Sequence, residues 1–202
     1  MVSIYDLKPA FQARLRPLAD ALAERGVTAN QVTVAAFALS LLAGLVLLVW
    51  PGATIPLLLV PLVLFVRMAL NAIDGMLARE HGQKSDLGAL LNELGDVLSD
   101  AALYLPFAVI PGISGGLVVT TVVLAGASEL AGTAALLIGA SRRYDGPMGK
   151  SDRALAFGAI AFLLALGLPA GRWLDLVLVV LLVLLVLTIM NRVRRALAEA
   201  HP

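Results

Sequence analysis

Six apolar stretches of about membrane length constrain this chain more than any other feature of its sequence. A helix needs about 20 apolar residues to cross the hydrocarbon core of a bilayer. Open strands cannot satisfy their backbone polar groups in lipid, so each stretch is predicted to be a helix. The stretches are Gln31–Trp50, Ile55–Arg79, Asp86–Ile110, Gly115–Ala140, Ser151–Leu168 and Arg172–Met190.

The composition excludes a soluble protein. The 202 residues are 60% hydrophobic and 14% charged, whereas a soluble domain averages about 25% charged residues. We therefore predict an all-α integral membrane protein, with a single domain over residues 1–202 and a six-helix bundle over residues 31–190. The sequence contains no cysteine, which excludes disulfides, thiolate zinc sites and a thiol nucleophile.

Residues 3–26 are periodic rather than continuously apolar. The pattern predicts an amphipathic helix that either lies in the membrane interface or packs beneath the bundle. Gly26 is predicted to end this helix, and Thr28 or Asn30 to cap the next one. Its apolar positions recur every three or four residues: Leu7, Phe11, Leu15, Leu18 and Leu22.

The distribution of lysine and arginine predicts the orientation in the membrane. Six crossings place both termini on one side, and 13 of the 15 basic residues fall on that side. Arg172 falls on the other side, and Arg67 lies within the second stretch. By the positive-inside rule, the termini and the loops at residues 79–86 and 141–153 are cytoplasmic. We expect a bacterial inner membrane location.

Polar residues form one stripe on each of the second and third helices. At 100° per residue, each stripe occupies an arc of roughly 60° to 100°. A short turn joins these helices as antiparallel neighbours, so the stripes can line a polar cavity open to the cytoplasm. The stripes comprise Arg67, Asn71, Asp74 and Ala78 on one helix, and Asn92, Glu93, Asp96 and Asp100 on the other.

Ionisable groups inside membrane-length segments are costly, so they indicate a functional site. Carboxylate and amide oxygens without histidine or cysteine suit a hard cation such as Mg²⁺ or Mn²⁺. The small residues Gly75, Ala78 and Gly88 leave room for a ligand beside them. The alternative is that the charges form buried salt bridges that only fix the helix register.

The spacing within these stripes resembles the motif of the CDP-alcohol phosphatidyltransferase family. That motif reads D-x2-D-G-x2-A-R-x8-G-x3-D-x3-D across two helices, and the six-segment layout of the whole chain is also similar. Two positions depart from it, because Asn71 and Asn92 replace the first and third aspartates. The matching residues are Asp74, Gly75, Ala78, Arg79, Gly88 and Asp96.

The resemblance implies transfer of a phosphatidyl group from CDP-diacylglycerol to a small alcohol, with release of CMP, in phospholipid synthesis. Asp96 is implied to be the general base, and one or two Mg²⁺ or Mn²⁺ ions are the implied cofactors. Three outcomes follow from the two asparagines: a retuned two-metal site, a one-metal site, or a site without catalysis. The implied metal ligands are Asn71, Asp74, Asn92 and Asp96.

Nucleotide and phosphate binding is also implied by the resemblance. Residues 29–33 resemble the family's P-N-x-x-T sequence, with alanine in place of proline. Glu93 and Asp100 lie on the same helix as Asn92. They could compensate partly for the two negative charges that the motif loses at Asn71 and Asn92. The implied nucleotide- and phosphate-binding residues are Gly75, Ala78, Arg79, Gly88, Asn30 and Thr33.

The loop at residues 141–153 carries four cations and leads into a helix N-terminus, which favours an anion site. Such a site suits an acceptor with its own phosphate, such as a polyol phosphate. The alternative is that these charges only set the topology. Glu129 is predicted to bind an acceptor hydroxyl or to pair with Arg67. The acceptor-binding candidates are Arg67, Glu93, Asp100, Glu129, Arg142, Arg143, Lys150 and Arg153.

The resemblance further implies a homodimer in contact with membrane lipids, and no nucleic-acid partner is predicted. Two other functions remain open from the residues alone. The acidic cavity would also suit transport of a small solute, although transporter sites are commonly formed by broken helices in repeats. The two asparagines would also suit a non-catalytic binding subunit.

Overall fold

The structure is a computed structural model that describes residues 4–201. Within that range the chain forms α-helices joined by short turns, without a strand, which confirms the all-α fold class. Single 3-10 turns at Leu105–Val109 and Ala135–Ile138 follow two of the helices. The helices are α1 (Ile4–Glu24), α2 (Ala29–Val49), α3 (Thr54–Glu80), α4 (Asp86–Tyr104), α5 (Gly115–Ala134), α6 (Lys150–Ala165) and α7 (Arg172–Ala200).

In the part of the chain that the structure describes, four helical segments are long and apolar enough to cross a membrane: α2, α3, Gly115–Ile138 and α7. The predicted count of six spans is not met by length and composition alone. Helix α4 carries four acidic residues, and α6 has 16 residues, fewer than the ~20 needed to span the core. Crossing by α4 and α6, and the side on which the termini lie, stay predictions.

The third, fourth and sixth predicted segments end at other residues in the structure, and α5 ends at Ala134 rather than near Ala140. The third stretch was expected to stay helical to Ile110, but α4 ends at Tyr104 because Pro106 cannot donate a backbone hydrogen bond. The sixth was expected to end near Met190, but α7 continues to Ala200. The apolar pattern marks the length of a span, whereas the helix continues into charged sequence beyond it.

The junction between α1 and α2 follows the sequence prediction. Gly26 has a φ of 75°, and the Val27 amide donates to the Leu22 carbonyl at 3.0 Å, as in a Schellman stop. Thr28 and Gln31 then form a capping box, with the Gln31 amide donating to Thr28 Oγ1 at 3.3 Å and the Thr28 amide to Gln31 Oε1 at 2.9 Å. Thr28, rather than Asn30, caps α2.

Two compact units make up the chain, and the predicted single domain stays a prediction. The first unit runs to Leu42 and resumes at Leu62–Ser99, so it contains α1 and parts of α2, α3 and α4. The second unit comprises Ala43–Pro61 and the residues from Asp100 onward, including α5, α6 and α7.

In the first unit, α1 packs on α2 and α3 through buried apolar residues, among them Ala19, Val32 and Leu77. Two polar contacts reinforce this packing. Arg16 donates two hydrogen bonds of 3.0 Å to the Glu80 carboxylate, and His81 contacts Asp20 at 3.0 Å. These contacts favour the alternative in which α1 packs against the bundle.

In the second unit, α5 packs along α7 and against both 3-10 turns. Aromatic side chains fill part of its core, with Tyr104 stacked on Phe157 at 4.1 Å between ring centroids. The fragments of α2 and α4 in this unit meet at Gly44, where an added methyl group would overlap the backbone carbonyl of Ala102. Gly44 therefore permits a close backbone approach.

We expect Gly44→Ala to destabilise the protein by about 1–3 kcal/mol, because its methyl group overpacks against the Ala102 backbone. Gly116→Ala is the matched control, since nothing lies within 4 Å of a methyl group there and alanine favours a helix. Thermal unfolding of both variants in detergent measures the effect. Equal melting temperatures for the two variants would contradict the close approach.

Candidate functional site

Asp96 on α4 is held by two side chains from α3. Arg67, with 3% exposure, donates from Nη2 to the Asp96 backbone carbonyl at 3.0 Å. The same nitrogen lies 3.5 Å from Asp96 Oδ1, to which Asn71 Nδ2 donates at 3.3 Å. The predicted meeting of the two polar stripes is thus realised at these three residues. Their contacts orient the carboxylate through one cation and one amide.

Asp74, the second motif aspartate, is buried with 3% exposure. Its Oδ2 accepts a hydrogen bond of 2.8 Å from the hydroxyl of Thr33 on α2. Thr33 Oγ1 also lies 3.1 Å from the Ala29 carbonyl of its own helix. Thr33 therefore contacts the metal-ligand candidate Asp74 directly, a role in addition to its predicted place in the N-x-x-T sequence.

Two motif glycines leave space that neighbouring polar groups enter. A methyl group at Gly88 would lie 2.7 Å from Asn30 Oδ1 and 3.0 Å from Ser85 Oγ. A methyl group at Gly75 would lie 2.9 Å from Arg79 Nη2, so the Arg79 guanidinium folds back over this glycine. The structure therefore brings Asn30 to Gly88, and Arg79 to Gly75.

Gln83, in the turn between α3 and α4, was not identified from the sequence. Its Oε1 accepts from the Ala29 amide at 2.7 Å, and its Nε2 donates to the Val27 carbonyl at 3.3 Å. This side chain joins the turn to the first residues of α2, and so positions Asn30 beside Gly88. A glutamine in a short polar turn carries no sequence signal for such a contact.

The donor atoms of the motif suit a hard divalent cation. Asp74 and Asp96 provide carboxylates, and Asn71 and Asn92 provide amide oxygens, which are ligands that Mg²⁺ and Mn²⁺ accept. Among the side chains described, those of residues 10–201, no three acidic, histidine or cysteine groups come close enough to hold a metal ion. A bound ion would therefore need the amide oxygens as well as the carboxylates.

The three remaining candidates of the polar stripes, Asn92, Glu93 and Ala78, are all partly buried.

A second cluster of charges lies in the second unit. Arg153, with 2% exposure, donates to Asp100 Oδ2 at 2.9 and 3.1 Å and to Glu129 Oε1 at 2.9 Å. Arg192 and Arg142 approach Glu129 Oε2 to 3.3 and 3.6 Å. Four of the acceptor-binding candidates and their helices therefore meet, and the predicted pairing of Glu129 with Arg67 stays a prediction.

The remaining basic candidates of the loop have other contacts. Arg143 pairs with Asp145 at 2.8 Å and with Glu199, and Lys150 begins α6 as a partly buried residue. The hydrogen bond from Arg143 holds the pKa of the Asp145 carboxyl below its usual value. The contact is therefore present at neutral pH and is lost as the pH falls through that lowered pKa.

The sequence indicated Arg192 only as one of the basic residues that set the membrane topology, yet its side chain is 2% exposed. It contacts Glu129 and donates to the backbone carbonyl of Ser128. One signal could have revealed it: Thr188, Arg192 and Ala196 recur every four residues and form a buried face of α7. The predicted end of the helix at Met190 hid this pattern.

The sequence profile of the CDP-alcohol phosphatidyltransferase family matches residues 26–194. The chain belongs to this family. The enzyme interpretation is therefore confirmed, and the transferase is an integral membrane protein. The profile covers the motif, α2 to α6 and most of α7, so membership rests on nearly the whole chain.

Two curated relatives support this assignment. The transferase is 47% identical over 196 residues to inner membrane protein YnbA of Escherichia coli strain K12, covering 97% of each chain. It is 33% identical over 149 residues to the archaetidylinositol phosphate synthase of Pyrococcus horikoshii, covering 68% of this chain and 74% of that one.

Solved structures show that the fold is also shared. The crystal structure of Mycobacterium tuberculosis phosphatidylinositol phosphate synthase with CDP-DAG bound has a TM-score of 0.75 at 21% identity, covering 92% of this chain and 96% of that one. The same enzyme in complex with manganese and citrate has a TM-score of 0.75 at 22% identity, covering 92% and 91%.

We expect Thr33→Val to destabilise the transferase by about 1–3 kcal/mol, because it removes a hydrogen bond to the buried Asp74 carboxylate. Thr120→Val is the matched control, because its exposed hydroxyl donates only to the Gly116 carbonyl of its own helix. Thermal unfolding in detergent compares the two variants. A smaller loss for Thr33→Val than for Thr120→Val would contradict a stabilising contact with Asp74.

Proposed function

We propose that this transferase moves a phosphatidyl group from CDP-diacylglycerol to a small alcohol that carries its own phosphate, releasing CMP. The observation that carries the proposal is the Asp96 carboxylate, which lies within the motif of the family. Its Oδ1 accepts a hydrogen bond from Asn71 at 3.3 Å and lies 3.5 Å from the Arg67 guanidinium. The similarity to an archaetidylinositol phosphate synthase and to a phosphatidylinositol phosphate synthase supports a polyol phosphate as the acceptor class.

In the proposed reaction, the acceptor hydroxyl oxygen attacks the β-phosphorus of the donor. A phosphorus–oxygen bond to the acceptor forms, the bond from the β-phosphorus to the bridging oxygen breaks, and CMP leaves. The hydroxyl proton passes to the Asp96 carboxylate. A general base requires a carboxylate that is correctly oriented as well as within reach. The hydrogen bond from Asn71 and the ion pair with Arg67 supply that orientation.

We further propose that Asp74, Asp96, Asn71 and Asn92 hold a divalent cation at the donor pyrophosphate. When bound, such an ion neutralises charge on the phosphate oxygens. Thr33 would fix one oxygen of Asp74 through its 2.8 Å hydrogen bond. The crystal structure of the Mycobacterium tuberculosis enzyme in complex with manganese supports a divalent ion of this kind, Mg²⁺ or Mn²⁺.

The nucleotide would bind along the small residues of α3 and α4. Gly75 and Gly88 provide the space, and the exposed Arg79 provides a cation for phosphate. The acceptor's phosphate would bind in the second unit, where Arg142, Arg153 and Arg192 converge. We place this site on the cytoplasmic side, in accordance with the positive-inside pattern of the sequence.

Asp96→Asn should reduce CMP release by at least ~100-fold, because the variant keeps the shape of the side chain but cannot accept the hydroxyl proton. The assay uses the purified protein with Mg²⁺ or Mn²⁺, CDP-diacylglycerol and a panel of alcohols and alcohol phosphates. Asp175→Asn is the matched control, because this carboxylate lies outside the motif and accepts from the Ser114 amide.

Near-normal CMP release by Asp96→Asn would remove Asp96 as the base. No CMP with any acceptor from the unmodified protein, beside an active relative, would support the non-catalytic interpretation instead. Where CMP is released, lipid analysis of cells with and without the transferase would identify the headgroup, since a new lipid class names the acceptor directly.

Asn71→Asp and Asn92→Asp should each tighten divalent-metal binding, because a carboxylate adds a negative charge to an oxygen ligand. Mn²⁺ titration of the purified variants measures this affinity, independently of turnover. Asn191→Asp is the matched control, since Asn191 is exposed on α7. Unchanged Mn²⁺ affinity in both site variants would remove these two positions from the set of ligands.

A further inference from the structure

Glu129 on α5 is an internal anion bound by three arginines from three different elements. Its Oε1 accepts from Arg153 of α6 at 2.9 Å. Its Oε2 lies 3.3 Å from Arg192 of α7 and 3.6 Å from Arg142 of the loop between α5 and α6. All four residues belong to the second unit. One carboxylate thus occupies guanidinium groups that the proposed function assigns to the acceptor's phosphate.

Most of the cluster is enclosed, so its charges act on one another with little screening by solvent, and Arg142, with a side chain 25% exposed, forms its open edge. The side chains of Arg153 and Arg192 are each 2% exposed, and that of Glu129 is 11% exposed. Asp100 adds a second carboxylate on Arg153. With three arginines and two carboxylates the cluster carries one net positive charge, less than a phosphate dianion requires for neutralisation.

The scaffold holds the arginines in place independently of any ligand. The Arg143 amide donates to the Gly132 carbonyl at 3.0 Å, which fixes the loop that carries Arg142 beside α5. The Met148 amide donates to Thr188 Oγ1 at 2.9 Å, which fixes the other end of the loop to α7. The guanidinium groups are therefore already gathered around the Glu129 carboxylate.

A phosphate group and a carboxylate compete for the same donors, because guanidinium groups bind both through paired hydrogen bonds. We propose that Glu129 competes with the acceptor's phosphate for Arg142, Arg153 and Arg192, and so determines how tightly the transferase binds phosphorylated acceptors. This inference rests on the proposed function for its choice of acceptor. Its physical basis is the pairing of Glu129 with all three arginines.

Competition of this kind has a direct consequence for acceptor choice. A phosphorylated alcohol must displace the Glu129 carboxylate from the guanidinium groups, whereas an uncharged alcohol leaves the ion pairs intact. Glu129 therefore weakens the preference for phosphorylated acceptors that the arginines alone would produce. Replacing Glu129 by an uncharged residue of equal size should strengthen that preference.

The test is the affinity of the full-length protein in detergent for inorganic phosphate, measured by calorimetric titration at constant ionic strength. Glu129→Gln should bind phosphate about tenfold more tightly than the unmodified protein, equivalent to about 1.4 kcal/mol. An affinity equal to or weaker than that of the unmodified protein would overturn the proposal. Adding Arg192→Met to Glu129→Gln should abolish the gain.

Asp175→Asn is the matched control, because it removes one negative charge from the same unit at a carboxylate that accepts from the Ser114 amide. Its phosphate affinity should equal that of the unmodified protein. A gain as large as that of Glu129→Gln would show a general charge effect and would also overturn the proposal.

Glu129→Asp keeps the charge but withdraws it by one methylene from the arginines. Its phosphate affinity should therefore lie between that of the unmodified protein and that of Glu129→Gln. This variant decides the question if Glu129→Gln does not fold, and an affinity no higher than that of the unmodified protein counts against competition. Phosphate binding does not require turnover. A failed competition test therefore leaves CMP release unaffected, and failed CMP release leaves the titration interpretable.

A kinetic readout separates competition from a purely structural role. With glycerol 3-phosphate and glycerol as acceptor probes, Glu129→Gln should lower the KM for the phosphorylated probe relative to the KM for glycerol. A structural defect would reduce kcat with both probes and leave the ratio of their KM values constant, which would contradict the proposal.

Discussion

The pairing of charges in an apolar chain is the constraint on which this structure depends. An unpaired charge in a low-dielectric interior costs several kcal/mol, so each buried ionic group needs a partner nearby. Arg67 meets this need through Asp96, and Arg153 through Asp100 and Glu129. These pairs also fix the register of the helices that carry them. The same contacts therefore stabilise the fold and position the groups proposed to react, so the salt-bridge and functional interpretations describe one arrangement.

The polar stripes were predictable because they follow from helical periodicity alone. Asn71 and Asp96 meet as expected from the antiparallel arrangement of α3 and α4, and Gly26 ends α1 as its conformational freedom predicts. The choice of ionic partner was not predictable, because it depends on tertiary contacts between distant segments. The end of α5, all of α6 and most of α7 separate Glu129 from Arg192 in the sequence. Only the folded chain brings them to 3.3 Å.

The two asparagines of the motif have a clearer physical meaning in the structure than in the sequence. Asn71 donates a hydrogen bond to Asp96, which a carboxylate at that position could not do. An aspartate there would repel Asp96 unless a cation lay between the two. The amide therefore stabilises the arrangement by itself, and it reduces the dependence of the local structure on a bound ion. Asn92 retains an oxygen that could bind a metal ion, without adding charge.

The contact between Arg79 and Gly75 has a consequence for the speed of ligand entry. The Arg79 guanidinium covers the space that the glycine leaves open, while the arginine itself is exposed. Rotamer changes of exposed side chains take picoseconds to nanoseconds, whereas loop movements are much slower. One rotation of Arg79 therefore clears the space, and under the proposed function it would present the cation to the donor's phosphate. If the nucleotide binds beside Gly75 as proposed, its entry past Arg79 can proceed on the time scale of a side-chain rotation.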